Sequence, residues 1–154
     1  MDKPKVAIIM GSKSDMPIVQ YCLDILDEFN IAYVVKVLSA HRTPDKAVKF
    51  AKEAQKKGIK VIIAAAGMAA HLPGVLASHT ILPVIGIPIE SKALAGIDAL
   101  FSIVQMPGGV PVGCVAIGKA GSKNAALLAI QILALSDNKL QKKFIAYKKN
   151  LAKK

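Results

Sequence analysis

The chain has 154 residues, 53% of them hydrophobic, and 21 basic against 10 acidic residues give it a formal net charge of +11. That length fits one domain with a single substantial core, and the charge does not read as a nucleic-acid surface: seven lysines crowd into residues 139–154, on what reads as one solvated helix, while aromatic residues to stack bases are few and tryptophan is absent. The uncharged run from Val61 to Ile89 is no membrane span, because Gly67, Pro73, Gly74, Pro83, Gly86 and Pro88 cut it into pieces of strand length; a mean hydropathy of +0.44 points instead to an extensive subunit interface.

In chain order, the opening residues lead from Lys5 straight into a strand-like run, with no signal-peptide core, which predicts a cytoplasmic protein. The first strand is predicted over Val6 to Met10, followed by the loop Gly11-Ser12-Lys13-Ser14-Asp15. A helix over about 16–29 carries Ile18, Cys22, Ile25, Leu26 and Phe29 on one stripe, with Pro17 in its first turn, where a missing N–H costs nothing. A second strand, about 32–38, delivers the loop Ser39-Ala40-His41-Arg42-Thr43-Pro44. The helix after it, about 44–57, is stopped by Gly58. A third strand over 61–65 leads to the small apolar loop Ala66-Gly67-Met68-Ala69-Ala70 and a short helix from His71. The fourth strand is predicted over 84–87, a weaker helix over 97–104, and the fifth strand over 114–117. Helix five, about 122–135, is apolar on nearly every side, which calls for cover from another subunit. The last helix, from Asn138 to about Ala152, shows Leu140, Phe144, Tyr147 and Leu151 as a seam that docks on its own domain or on a neighbour's.

Short β-branched runs alternating with helical periods predict a parallel sheet covered by helices on both faces. Five such strands suit a three-layer, flavodoxin-like α/β fold of order 2-1-3-4-5, with residues 1–154 as one domain plus a C-terminal helix. That order sets the loops after strands two, one and three side by side at the switch point where such sheets bind ligands.

Those loops hold the chemistry. Arg42 is the only arginine of the chain, and a planar two-pronged guanidinium grips phosphate or carboxylate in a way lysine does not. Beside it, His41 is a proton carrier for neutral pH or a plain surface residue. Ser12 and Ser14, at a helix start, suit phosphate or sugar oxygens, and Ser39 can assist Arg42. Asp15 either accepts hydrogen bonds from a ribose diol or caps the helix, and Thr43 suits a helix start. Gly67 lets the backbone approach a flat ring. His71 orients the ligand or bonds the chain, whereas His79 reads as structural. Cys22 and Cys114 read as buried free thiols rather than a disulfide, and without a Cys/His cluster at ligand spacing no structural metal is expected.

Five stretches, in order and at matching spacing, resemble the PurE family, the N5-carboxyaminoimidazole ribonucleotide mutases of purine biosynthesis. They are Gly11-Ser12-Lys13-Ser14-Asp15, Ser39 to Lys46, Ala69-Ala70-His71-Leu72-Pro73-Gly74, Ser102 to Pro107, and Ala116-Ile117-Gly118-Lys119-Ala120-Gly121. The resemblance implies migration of a carboxylate from N5 to C4 of an imidazole ribonucleotide, with no ATP, metal or organic cofactor. It further implies His41 as general acid and base, Ser12 and Asp15 at the ribose and phosphate end, and Arg42 as phosphate clamp. By the same resemblance Ser14, Ser39, Gly67 and, as a secondary candidate, His71 are expected to line the same pocket. It implies a homo-octamer with exchanged C-terminal helices, and no nucleic-acid or membrane partner. A related group carboxylates aminoimidazole ribonucleotide with free carbon dioxide, and the third loop resembles the mutase type. Two departures stand out: Met68 replaces a glycine common among relatives, and Gly108 a basic residue. The rival of another class is a non-catalytic flavin or nucleotide carrier on the same fold, which would want aromatic residues in the second and third loops; none is there.

Overall fold

The computed structural model describes residues 3–153. In chain order the elements are β1 (Val6–Met10), α1 (Met16–Glu28), β2 (Tyr33–Val37), α2 (Pro44–Ala54), β3 (Val61–Gly67), α3 (Leu72–Ala77), β4 (Val84–Ile89), α4 (Ile97–Val104), β5 (Gly113–Cys114), α5 (Gly118–Ala134) and α6 (Asn138–Leu151). Single 3-10 turns over Lys13–Asp15 and Gln55–Lys57 precede α1 and follow α2. All strand pairs are parallel, in the order β2-β1-β3-β4-β5, as the alternation of strand and helix patterns predicts.

The sheet divides the core in two, because alternate side chains of a strand face opposite ways. Ile8, Met10, Ile63 and Ile87 pack with α1, α5 and α6 on one face, while Ile9, Ile62, Ala64 and Val84 pack with α2, α3 and α4 on the other. Residues of β1 and β3 as far as Ala65 are at most 1% exposed, which is why these strands read as unbroken apolar runs rather than alternating ones.

Some boundaries differ from the sequence reading. β5 is two residues long instead of the expected four. Gly86 turns its carbonyl to this edge and accepts the N–H of Val115 at 3.2 Å. Two residues on, the same side of β4 presents Pro88, which has no N–H to continue the ladder. The chain then turns at Gly118, with φ 74°, and α5 starts there, four residues before the expected position. Gly58 caps the end of the second helical segment at φ 92°, as anticipated. Helix α5 buries Ala125, Ala126, Ala129 and Ile130 completely, leaves Leu127, Leu128 and Ile132 half-buried, and exposes Leu135. Its buried Ser122 hydroxyl donates to the carbonyl of Ile18 at 2.6 Å, which ties α5 to α1. Of the final seam, Leu140 and Phe144 are buried on their own chain, with Phe144 and Tyr147 against Phe29 at ring-centre distances of 5.8 and 5.4 Å. Leu151 stays exposed, as does Ile145.

One glycine is indispensable to this packing. A Cβ on Gly121 would overlap the carbonyl of Ala116, which is backbone and cannot swing aside. Gly121→Ala is therefore expected to lower stability by about 1–3 kcal/mol, the usual cost of forcing a methyl into a filled space. Thermal unfolding checks this, and an unchanged melting temperature would contradict it.

Candidate active site

β1 lies between β2 and β3, so the loops leaving the carboxyl ends of these three strands meet above the sheet, and the end of β4 adds a fourth wall. They enclose a cavity of about 600 Å³ whose lining includes Ser12, Ser14, Asp15, Ser39, His41, Arg42, Gly67 and His71. Every residue singled out from the sequence as a site candidate therefore faces one space. A shallower extension of about 440 Å³ continues over Arg42 towards Lys13, Val37 and Thr43.

The first loop is held by its own side chains. Asp15 Oδ2 accepts the Ser12 N–H at 3.1 Å, while Ser12 Oγ accepts from the Ser14 N–H at 3.3 Å and from the Ser14 hydroxyl at 2.8 Å. Asp15 makes no side-chain capping bond to α1 itself. Its capping contact serves the preceding 3-10 turn and still leaves the carboxylate on the cavity wall. Burial pushes the Asp15 carboxyl above its ordinary range, opposed by the Ser12 N–H and by the charge of Arg42.

Arg42 links the second loop to the first, since its Nη2 donates to the carbonyl of Gly11 at 3.0 Å. The ion pairs among the described residues, Lys5 with Asp137 and Lys57 with Glu53, do not involve it. Ser39 Oγ accepts the Arg42 N–H at 3.1 Å and so sets the turn that carries both His41 and Arg42. Thr43 is a brace: its hydroxyl accepts the Ser39 N–H at 2.9 Å and donates to the Ser39 carbonyl at 3.2 Å.

The second and third loops meet at two imidazoles. His41 Nε2 lies 2.6 Å from His71 Nδ1, with the rings edge to face at a centre distance of 4.8 Å. A contact that short needs one proton between the two nitrogens, so each ring fixes the orientation of the other. Of the two roles the sequence left open for His71, the structure shows the bond to the chain, and the side chain also lines the cavity. Gly67 sits where a Cβ would lie 3.3 Å from the carbonyl of Ile89, so a larger residue would press β3 away from β4. His79 lies beyond α3, exposed, and is not part of the cavity. Cys22 is a buried free thiol, pushed up to about 12 by that burial, and Cys114 is a half-buried one; neither lines the cavity.

Sequence reasoning missed the wall formed by Ile89, Glu90 and Ser91. The signal was available, because the carboxyl end of the fourth strand opens on the same rim, but these residues match no phosphate or proton-transfer pattern. The Ser91 hydroxyl is buried without a hydrogen-bond partner among the described residues. Lys13 was visible inside the first loop and is an exposed cation at the mouth of the extension.

Comparison with known proteins agrees with this geometry. A family model described as AIR carboxylase matches residues 5–154. The chain belongs to that family. Among members of the AIR carboxylase family, it is 57% identical over 148 residues to the Bacillus subtilis protein named N5-carboxyaminoimidazole ribonucleotide mutase, covering 96% of this chain and 91% of the relative. A Haemophilus influenzae protein of the same name is 56% identical over 146 residues, 95% of this chain and 89% of that one. The crystal structure of Treponema denticola PurE superposes with a TM-score of 0.87 at 32% identity, over 97% of this chain and 92% of the other.

Burial of Asp15 yields a prediction about stability. A carboxyl whose value is raised by folding holds its proton more tightly in the native than in the unfolded chain, so its contribution is complete in acid and is lost as pH rises through the raised value. Asp15→Asn is therefore expected to melt at or above the wild-type temperature at pH 7. A clear drop in melting temperature at pH 7 would contradict this origin of the shift.

Proposed function

We propose that the protein is an N5-carboxyaminoimidazole ribonucleotide mutase of purine biosynthesis, an isomerase that moves the carboxylate of its substrate from N5 to C4 of the imidazole. One observation carries the reading: a single cavity is lined by a bonded pair of imidazoles, by the only guanidinium of the chain and by serine hydroxyls. The name that relatives 54–57% identical to it bear supplies the substrate.

The substrate phosphate lies against Arg42, Ser12, Ser14 and Ser39, where a two-pronged cation and hydroxyl donors meet a doubly charged group. Asp15 accepts hydrogen bonds from the ribose diol. The flat ring rests on the backbone at Gly67, which places its exocyclic nitrogen near His41. As the N5–carboxylate bond breaks, its electron pair stays on N5, which takes a proton from His41, and carbon dioxide is set free in the cavity. C4 then attacks the carbon dioxide, and the C4 proton returns to His41. His71 holds the imidazole of His41 in place through both transfers. No proton is gained or lost overall, so the reaction asks for no ATP, metal or organic cofactor. Retaining the freed carbon dioxide beside C4 replaces a bimolecular encounter with an intramolecular one, an advantage that can reach about 10⁵ M or more in effective concentration.

The protein works in the cytoplasm as a homo-octamer. Ile97, Phe101 and Val104 form an exposed apolar stripe on α4, at helical spacing and between 50 and 58% exposed, and Leu94 precedes it. Such a stripe suits burial against another copy. Ile145 and Leu151 are exposed large apolar side chains of α6, available to a neighbouring subunit. The family's description as AIR carboxylase favours a second reading, carboxylation of aminoimidazole ribonucleotide by free carbon dioxide in the same site. A flavin carrier is disfavoured, because no Phe, Tyr or Trp lines the cavity.

Conversion of N5-carboxyaminoimidazole ribonucleotide by the purified protein tests the reading. His41→Asn is expected to keep the Michaelis constant near the wild-type value and to lower turnover about a hundred- to ten-thousand-fold, the usual share of a general acid and base. Unchanged turnover would remove His41 from this role. Arg42→Lys keeps the charge but loses the fork, and is expected to weaken nucleotide binding by about 1–3 kcal/mol; an unaltered Michaelis constant would show that Arg42 does not hold the phosphate.

A further inference from the structure

Met68 breaks two ordinary rules at once. Its φ is 56°, in the left-handed region that residues bearing a Cβ avoid. Its side chain, large and apolar, is 66% exposed. Both departures occur on the wall of the cavity, directly after Gly67 and three residues before His71. Strained backbone of this kind persists where the surrounding structure holds it, and it gathers at sites of function. Here the holding structure is β3, whose last residue, Gly67, is paired in register with Ile89 and packed tightly on it.

The surroundings say what such a residue can do. Ala66, Gly67, Ala69 and Ile89 carry no polar side-chain atom, so the side chains of this stretch of wall offer a flat ring and a neutral gas molecule only apolar surface. The cavity opens to solvent on the single chain, so a carbon dioxide molecule freed inside it has a way out as well as a way to its acceptor carbon. Methionine is unbranched, has three side-chain torsions and a polarisable sulfur that packs well on aromatic rings. It can swing from solvent over a ring without any movement of the backbone.

We propose that Met68 is a specificity-determining residue of the site, whose thioether folds over the imidazole of the bound nucleotide and keeps the freed carbon dioxide within reach of C4. This rests on the mutase reading. Met68 takes no part in bond making: the N5–carbon bond still breaks with protonation of N5 by His41, and the new C4–carbon bond still forms with return of a proton to His41. Its contribution is to favour recapture over escape, and so isomerisation over simple decarboxylation.

The experiment follows the label of a substrate carrying ¹³C in its N5 carboxylate, in buffer with an excess of unlabelled bicarbonate. It compares the wild type with Met68→Gly, Met68→Leu and Met68→Gln, and scores label kept in the C4 carboxylate against decarboxylated nucleotide released. The wild type and Met68→Leu are expected to keep most of the label. Met68→Gly and Met68→Gln should release several-fold more decarboxylated nucleotide per turnover, and the glycine variant should melt no lower than the wild type, because glycine accepts a positive φ without strain. A residue that only shapes the loop would alter the Michaelis constant or the melting temperature and leave this partition alone. Label retention in Met68→Gly equal to that of an active wild type would overturn the role of Met68 by itself. A wild type that makes no labelled product would instead overturn the mutase reading, and the role of Met68 with it.

Discussion

Parallel pairing of β1 with both β2 and β3 is the constraint on which the site depends. Val6 is aligned with Tyr33 on one side and Val61 on the other, and Met10 with Val37 and Ala65, so the three strands run level. Their loops leave the sheet at one height and have only each other to lean on. Two side-chain contacts then close the arrangement: Arg42 reaches the carbonyl of Gly11, and His41 reaches His71. The guanidinium thus joins the first loop to the second, and the imidazole pair joins the second to the third. Neither contact would form if β1 slipped by one residue against a neighbour, because a slip turns every side chain to the opposite face.

The arrangement buries one ionisable side chain at its rim. Asp15 is buried, and that burial disfavours its charged form. The Ser12 N–H and Arg42 offset part of that cost. A polar group held partly desolvated before its ligand arrives is a preorganised one, since little solvent has to be stripped from it on binding. The left-handed backbone at Met68 lies on the same rim, although Asn30 and Ala95 show that such backbone is not confined to it.

Strand order and the three convergent loops were readable in the sequence, because buried parallel strands are apolar throughout and because helix starts such as Met16-Pro17 and Thr43-Pro44 announce themselves locally. What could not be read depends on alignment between distant segments. The early end of β5 follows from which side of β4 Pro88 faces, and only the register of β4 decides that. The contact between His41 and His71 spans 30 residues, so each imidazole could be nominated alone but not as a pair. The wall from Ile89 to Ser91 lacked any chemical signature, and its part in the cavity comes from its place beside Gly67. Met68 was noticed as a departure from its relatives, yet its left-handed backbone is a property of the folded loop. Helix α5, apolar all round in sequence, is covered by its own domain over much of its surface, which leaves α4 with the more exposed apolar stripe.

The proposed mechanism rests on a proton carried by an imidazole and on a carbon dioxide molecule recaptured within the cavity. Its most direct test is the rate at which N5-carboxyaminoimidazole ribonucleotide becomes the C4-carboxylated product in buffer stripped of dissolved carbon dioxide and bicarbonate, followed by absorbance. The mutase reading predicts conversion at the rate seen with bicarbonate present. Product that forms only when bicarbonate is supplied, and equally well from aminoimidazole ribonucleotide, would contradict it.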